Sequence, residues 1–258
     1  VKNKNKTVVK SLDILNLFLK HSELSLNEMV QLSCIPKTSV HRMISSLEEM
    51  GFLQRDEQGQ YSLGLLFLQY SQLVADRLDI REISTPIMKA LRNDVDEAVK
   101  LTIKDGREVV CIEQLDTTHP VRLYTKIGQR SPLYAGASSR ILLAFSPTDD
   151  REQYLKEIEL IPIGFGTITD KATLRSILEE SVKVGFTVSQ AELENYTCSV
   201  AAPIFNNTGK VVAGISIIGP DERFHKDRLP QLIDKVKIAS RTISKELGWD
   251  KSKYPTVG

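Results

Sequence analysis

Ile35-Pro36-Lys37-Thr38-Ser39-Val40-His41-Arg42-Met43-Ile44 constrains the chain more than any other stretch. Proline's locked φ suits the entry to a helix and its missing N–H is no loss there, so a helix starting at Pro36 is expected. Val40, Met43, Ile44 and Leu47 then fall on one face at helical spacing. The opposite face carries Thr38, His41, Arg42 and Ser45, with no acid between Cys34 and Leu47. A helix with a packed back and a basic, hydrogen-bonding front suits a DNA major groove. An ordinary surface helix with a few cations shares the pattern, so the neighbouring elements decide between the two.

Those neighbours form an ordered set. Thr7 to Lys20 has helical periodicity, with Val8, Leu12, Leu15 and Leu19 expected inward. Ser25 followed by Glu28 is a capping box opening a short helix with Leu26, Met29 and Val30 inward. Ser33-Cys34-Ile35 makes a tight connection to the Pro36 helix, which Gly51 ends. Phe52 to Arg55 and Gln60 to Leu63 are short strands around the turn sequence Asp56-Glu57-Gln58-Gly59. Helix, short helix, turn, helix, hairpin spells a winged helix-turn-helix over residues 1–64.

Net charge is only +1, so DNA affinity must come from a local patch. Lys2, Lys4, Lys6 and Lys10, with no acid before Asp13, add to such a patch or form a basic tail. Three scattered cysteines build neither a disulfide framework nor a Cys-x-x-Cys metal site, and they point to a reducing cytoplasm. No run has the length of a membrane span, and no signal-peptide core is present, so no membrane partner is expected. The four histidines are dispersed; no metal and no cofactor is expected.

Residues 65–78 read as a linker helix whose first turn is apolar nearly all round. Burial between two chains explains that, as does burial between two domains of one chain; the first also supplies the paired spacing of DNA half-sites. Ile80 to Asp94 is a further helix, in which Pro86 is tolerated in the first turn or at a local kink. The pattern then becomes α+β. Strands are expected at Ala98–Ile103, Val109–Glu113, Val121–Tyr124, Phe186–Ser189, Ser199–Phe205 and Lys210–Ile218, with an Asp105-Gly106 hairpin turn. Helices are expected at Ser139–Ser146, Asp149–Glu157, Lys171–Val184 and Leu229–Leu247, before a loose tail from Lys251. An antiparallel sheet with helices on one or both faces follows, in a domain over 79–250.

With these motifs in hand, the chain resembles the IclR family of bacterial transcriptional regulators from end to end. The N-terminal part matches through Ser11-Leu12-Asp13-Ile14-Leu15, Leu24-Ser25-Leu26-Asn27-Glu28-Met29, Pro36 to Arg42 and Tyr61-Ser62-Leu63-Gly64. The C-terminal part matches through Ser131-Pro132-Leu133-Tyr134-Ala135-Gly136-Ala137, Gly185 to Ser189, Val200-Ala201-Ala202-Pro203-Ile204 and Gly219-Pro220 with Arg223. The resemblance implies a winged-helix domain, a linker helix and a GAF-like effector domain. It implies a regulator, commonly a repressor and not an enzyme, that binds palindromic double-stranded operator DNA as a homodimer or dimer of dimers. It also implies a small effector, commonly an organic acid, that alters operator affinity.

Thr38, Ser39, His41 and Arg42 are the candidate base and phosphate contacts, with Arg42 able to bridge O6 and N7 of guanine. Lys37 is a further candidate that positions the backbone. Arg55 in the wing touches a phosphate or the minor groove, or is a solvated strand residue. By resemblance, effector-contacting positions fall at Gly136, Ala137, Ser189, Ser199 and Ser216. Small residues at the helix start after Gly136 admit a carboxylate to its N–H groups, or merely pack tightly on the sheet. Ser189 stands where many members have Asp, and Ser199 where many have Cys, with Cys198 one residue earlier and on the opposite strand face. An effector differing from that of the glyoxylate-type members is expected.

The rival reading is a redox enzyme or sensor, since GAF-like domains include a cysteine-based reductase and Cys111 and Cys198 both lie on expected strands. A second rival senses a protein partner. A metal held by Cys198 with Glu192 or Glu194 is the weakest alternative.

Overall fold

The computed structural model describes residues 5–75, 79–123 and 126–250. The chain divides into two compact units, Val1–Leu78 and Asp79–Gly258. Lys2, Lys4, Tyr124 and the tail from Lys251 lie outside the described residues.

The first unit contains α1 (Lys6–Leu17), β1 (Leu24–Ser25), α2 (Leu26–Ser33), α3 (Lys37–Glu49), β2 (Leu53–Arg55), β3 (Gln60–Leu63) and α4 (Leu66–Ala75). Ser25 caps α2 reciprocally: its backbone N–H donates to Glu28 at 2.8 Å, and Glu28 N–H donates back to the Ser25 hydroxyl. Cys34 ends α2 in the left-handed conformation, which turns the chain into α3 without a glycine. A two-bond C-terminal motif closes α3: Phe52 N–H donates to Leu47 and Gly51 N–H to Glu48, with Gly51 at φ +78°. Gly64 follows β3 where the backbone passes Gly51; a Cβ there would meet the Gly51 carbonyl oxygen at 2.1 Å.

The core of this unit is Ile14, Phe18, Leu24, Met29, Ile35, Val40, Ile44, Leu47, Leu53 and Tyr61. It buries the expected back of α3, but α1 turns differently. Val8 and Leu12 are 55% and 52% exposed, whereas Ile14 and Phe18 are buried. The helix has apolar residues nearly all round, so two stripes compete, and the position of α3 selects one; Leu19 falls beyond the helix end. β1 was not anticipated. It is two residues long, too short for a period, and it pairs Leu24 with Tyr61 to give the sheet order β1-β3-β2.

The second unit contains α5 (Asp79–Val95), β4 (Ala98–Asp105), β5 (Glu108–Leu115), β6 (Arg130–Pro132), α6 (Ala137–Ala144), α7 (Thr148–Glu157), α8 (Lys171–Val184), β7 (Thr187–Gln190), β8 (Thr197–Phe205), β9 (Val211–Pro220), a 3-10 turn and α9 (Leu229–Glu246). All strand pairs are antiparallel, in the order β6-β5-β4-β9-β8-β7. α6 and α8 pack in one apolar cluster with Val109 and Ala201, while α5 and α9 pack together and against β4 and β8. Gly214 lets α6 lie close: a Cβ there would sit 3.1 Å from Ile141 and 3.2 Å from the Ser138 carbonyl.

One expected strand is absent, and of the two placements allowed for Pro86 the first turn is not the one found. Residues 121–123 are not a strand; the edge strand is β6, which a terminal proline disguised. Pro86 sits in the third turn of α5, where it forfeits the bond to the Glu82 carbonyl.

Candidate functional site

On α3, Lys37, Thr38, His41, Arg42 and Ser45 are exposed and Ser39 is half-buried, opposite the buried Val40, Ile44 and Leu47. Pro36 is the N-cap and no side chain caps the helix, so its first N–H groups face outward beside Thr38 and Ser39. Lys37 Nζ donates to Asn27 Oδ1 at 3.1 Å, which ties α3 to α2. Arg55 lies over the Tyr61 ring at 5.4 Å and close to Gly59, folded along the wing. A groove of about 300 Å³ runs between α1 and α3, lined by Thr7, Ser11, Ser39, Arg42, Met43 and Ser46. Thr7, Ser11 and Ser46 were not singled out in sequence. Hydroxyls spread over two helices form no local pattern; only the packing of α1 on α3 brings them to Arg42.

In the second unit, Ser189 pairs with Ser199 and Ser199 with Ile218, so the three stand side by side on one sheet face. They line a cleft of about 310 Å³ with Gly136, Leu193, Glu194 and Lys100. Ser216 shares the face, paired with Lys100, but lies buried beneath the lining, as does Ala137. Lys100, Arg130 and Leu193 are lining residues that sequence reasoning missed, and Glu194 was considered only as a metal ligand, because the register of three separate strands and a loop assembles them.

At the start of α6 the N-cap residue is already engaged. The Gly136 N–H is not open to a ligand: it donates to Glu192 Oε2 at 2.9 Å. Glu192 Oε1 also pairs with Arg140 at 3.0 Å, and both side chains are almost fully buried. Burial pushes the Glu192 carboxyl above the ordinary range, against the opposing pull of Arg140 and the Gly136 N–H. Arg140 donates further to the Val188 carbonyl. A second loop holds Glu192 inward. Gly164 and Gly166 donate to the Glu192 and Ala191 carbonyls, and a Cβ on either would collide with backbone oxygens at 2.3 and 2.0 Å.

The geometry also removes the rivals that rested on cysteine. β5 and β8 are separated by β4 and β9, which places Cys111 and Cys198 at least about 14 Å apart by strand spacing alone. A disulfide needs Cα atoms within about 7 Å. Both thiols are buried and pushed up by that burial, Cys198 to about 11, so neither favours the reactive thiolate. Cys198 pairs with Gly219, one register position off the cleft face, and Glu192 is committed to Arg140. No group of three or more His, Cys, Asp or Glu suited to a metal occurs among the described residues. No helix among them is long and apolar enough to cross a membrane.

A helix-turn-helix with a wing, joined in one chain to an antiparallel α+β unit carrying a small polar cleft, defines a DNA-binding regulator class. The chain belongs to the IclR family: residues 7–57 match the IclR helix-turn-helix domain, and residues 72–245 the bacterial transcriptional regulator IclR C-terminal domain. It is 57% identical over 249 residues to the transcriptional regulator KipR of Bacillus subtilis, covering 96% of this chain and all of that one. The sequence itself looks most like KipR-type repressors of bacilli within the family, in agreement with this match. The crystal structure of Thermotoga maritima IclR is 30% identical with a TM-score of 0.79, covering 94% of this chain and 99% of that one. An IclR homologue from Microbacterium hydrocarbonoxydans, crystallised with 4-hydroxybenzoate, shares the fold at 23% identity and a TM-score of 0.82, over 94% and 99% of the two chains. The chain is thus a DNA-binding transcriptional regulator and not an enzyme.

Proposed function

We propose that this regulator is a repressor that binds a palindromic operator as a homodimer or dimer of dimers, released or tightened by a small anionic organic effector. In this reading 1–64 is the DNA-binding domain, 65–78 the linker and dimerisation helix, and 79–250 the effector domain in the cytoplasm. The single observation that carries it is the two-sided α3, with a buried apolar back and an exposed Thr38, His41, Arg42 front at an uncapped N-terminus. Arg42 reads a guanine; Thr38, Ser39 and His41 contact bases or phosphates; Lys37 and Arg55 hold the backbone. The cleft carrying Gly136, Ser189 and Ser199, with Ala137 and Ser216 behind it, takes the effector. That the Microbacterium relative holds 4-hydroxybenzoate supports an organic acid as the chemical class.

The test is fluorescence anisotropy on the duplex upstream of the protein's own gene, against a shuffled duplex, at two salt concentrations. A preference of about 10³ or more, weakening as salt rises, is expected. Arg42→Ala should cost about 1–3 kcal/mol of discrimination at one base pair. Equal loss on both duplexes would remove Arg42 as a base reader, and no binding by folded protein would overturn the reading.

A further inference from the structure

Lys100 is out of keeping with its surroundings. It sits in β4, an interior strand of the six-stranded sheet, between the buried Val99 and Leu101. It lies beside Gln114 on β5 and Ser216 on β9, and its side chain lines the cleft. Among the described residues it makes no hydrogen bond and no ion pair. The other cation of the cleft is already used: Arg130 pairs with Asp105 and with Glu108. Burial holds the Lys100 ammonium below the ordinary lysine range, with Cys111 and Glu194 pulling the other way. Lys100 is half-buried, and an ammonium in a cleft with neither a hydrogen bond nor an ion pair is available to an anionic ligand.

We propose that Lys100 is the anion anchor of the cleft, and that the effector is a small organic monocarboxylate whose carboxylate pairs with the Lys100 ammonium. The inference rests on the effector reading above and narrows it. The Ser189 and Ser199 hydroxyls complete the carboxylate's hydrogen bonds. Leu193 and Ile218 supply apolar wall for the carbon skeleton. Glu194 also lines the cleft, and its charge repels a second carboxylate. Selectivity for monoanions over dianions of the same length follows.

The experiment uses the full chain, with differential scanning fluorimetry and calorimetric titration. The probes are monocarboxylates from propionate to benzoate, each with its primary amide and a dicarboxylate of similar length. At least one monocarboxylate should raise the melting temperature, while its amide and the dicarboxylate do not. Lys100→Met should weaken that acid about tenfold or more, the loss of one charge-assisted contact, and Lys100→Arg should retain part of it. Without ligand, Lys100→Met should melt at or above the wild type, a result that a structural lysine would not give. A lower melting point for the methionine variant, equal binding of acid and amide, or binding that survives Lys100→Met would each overturn the assignment. Ser199→Trp, which fills the cleft, separates the two levels. A neutral ligand that this variant abolishes would uphold the effector cleft and overturn the Lys100 anchor. Failure of every probe class to bind would overturn both.

Discussion

At the scale of single residues, the decisive contacts are the buried ones that no spacing announces. Glu192 and Arg140 are distant in sequence, yet they form an ion pair inside the second unit, with Glu192 also holding the Gly136 N–H. Burial disfavours the charged form of both partners, so the pair persists through mutual attraction and the backbone hydrogen bonds around it. Removing one partner strands the other. Glu192→Ala should destabilise the protein by about 3–5 kcal/mol, read as a lower urea midpoint with an unchanged slope. A loss of only a few tenths would mean that water reaches Arg140. The opposite facing of Cys198 and Ser199, by contrast, was legible from alternation: Ser199 shares the sheet face of Ser189, and Cys198 falls one register position off it.

At the scale of elements, local chemistry set the boundaries well wherever a stop or start signal exists. The Ser25 capping box, the Gly51 stop of α3 and the Gly185 stop of α8 stand where their residue types require. Ser25→Ala should cost about 1 kcal/mol by stranding N–H groups at the start of α2. Thermal denaturation followed by circular dichroism would show it, and an unchanged midpoint would mean that β1 alone holds this junction. Orientation was less legible than extent. α1 was expected to bury Val8 and Leu12 and instead buries Ile14 and Phe18, because both stripes satisfy the helical period. β1 and β6 were missed because strands of two and three residues exist only through their partners.

At the scale of the whole molecule, the apolar surface beside α4 bears on assembly. Leu65, Leu68 and Leu73 in and beside α4 are 69%, 67% and 55% exposed, a density of apolar surface that argues for burial against a second chain. If the proposed dimer forms through this face, Leu68→Glu should shift sedimentation toward monomer with helical content unchanged, and should weaken operator binding along with it. A sedimentation profile identical to the wild type would place the dimer contact elsewhere.

Sequence alone determined the helix-turn-helix layout of the first unit, the two-sided α3 and the family, because each rests on periodicity, caps and motifs read over a few neighbouring residues. Tertiary structure alone decided which face of α1 is buried, that Glu192 takes the Gly136 N–H, and that Lys100 enters the cleft without a hydrogen bond or ion pair. These are meetings of residues far apart in the chain. Strand register and helix packing create them, and no local pattern encodes either.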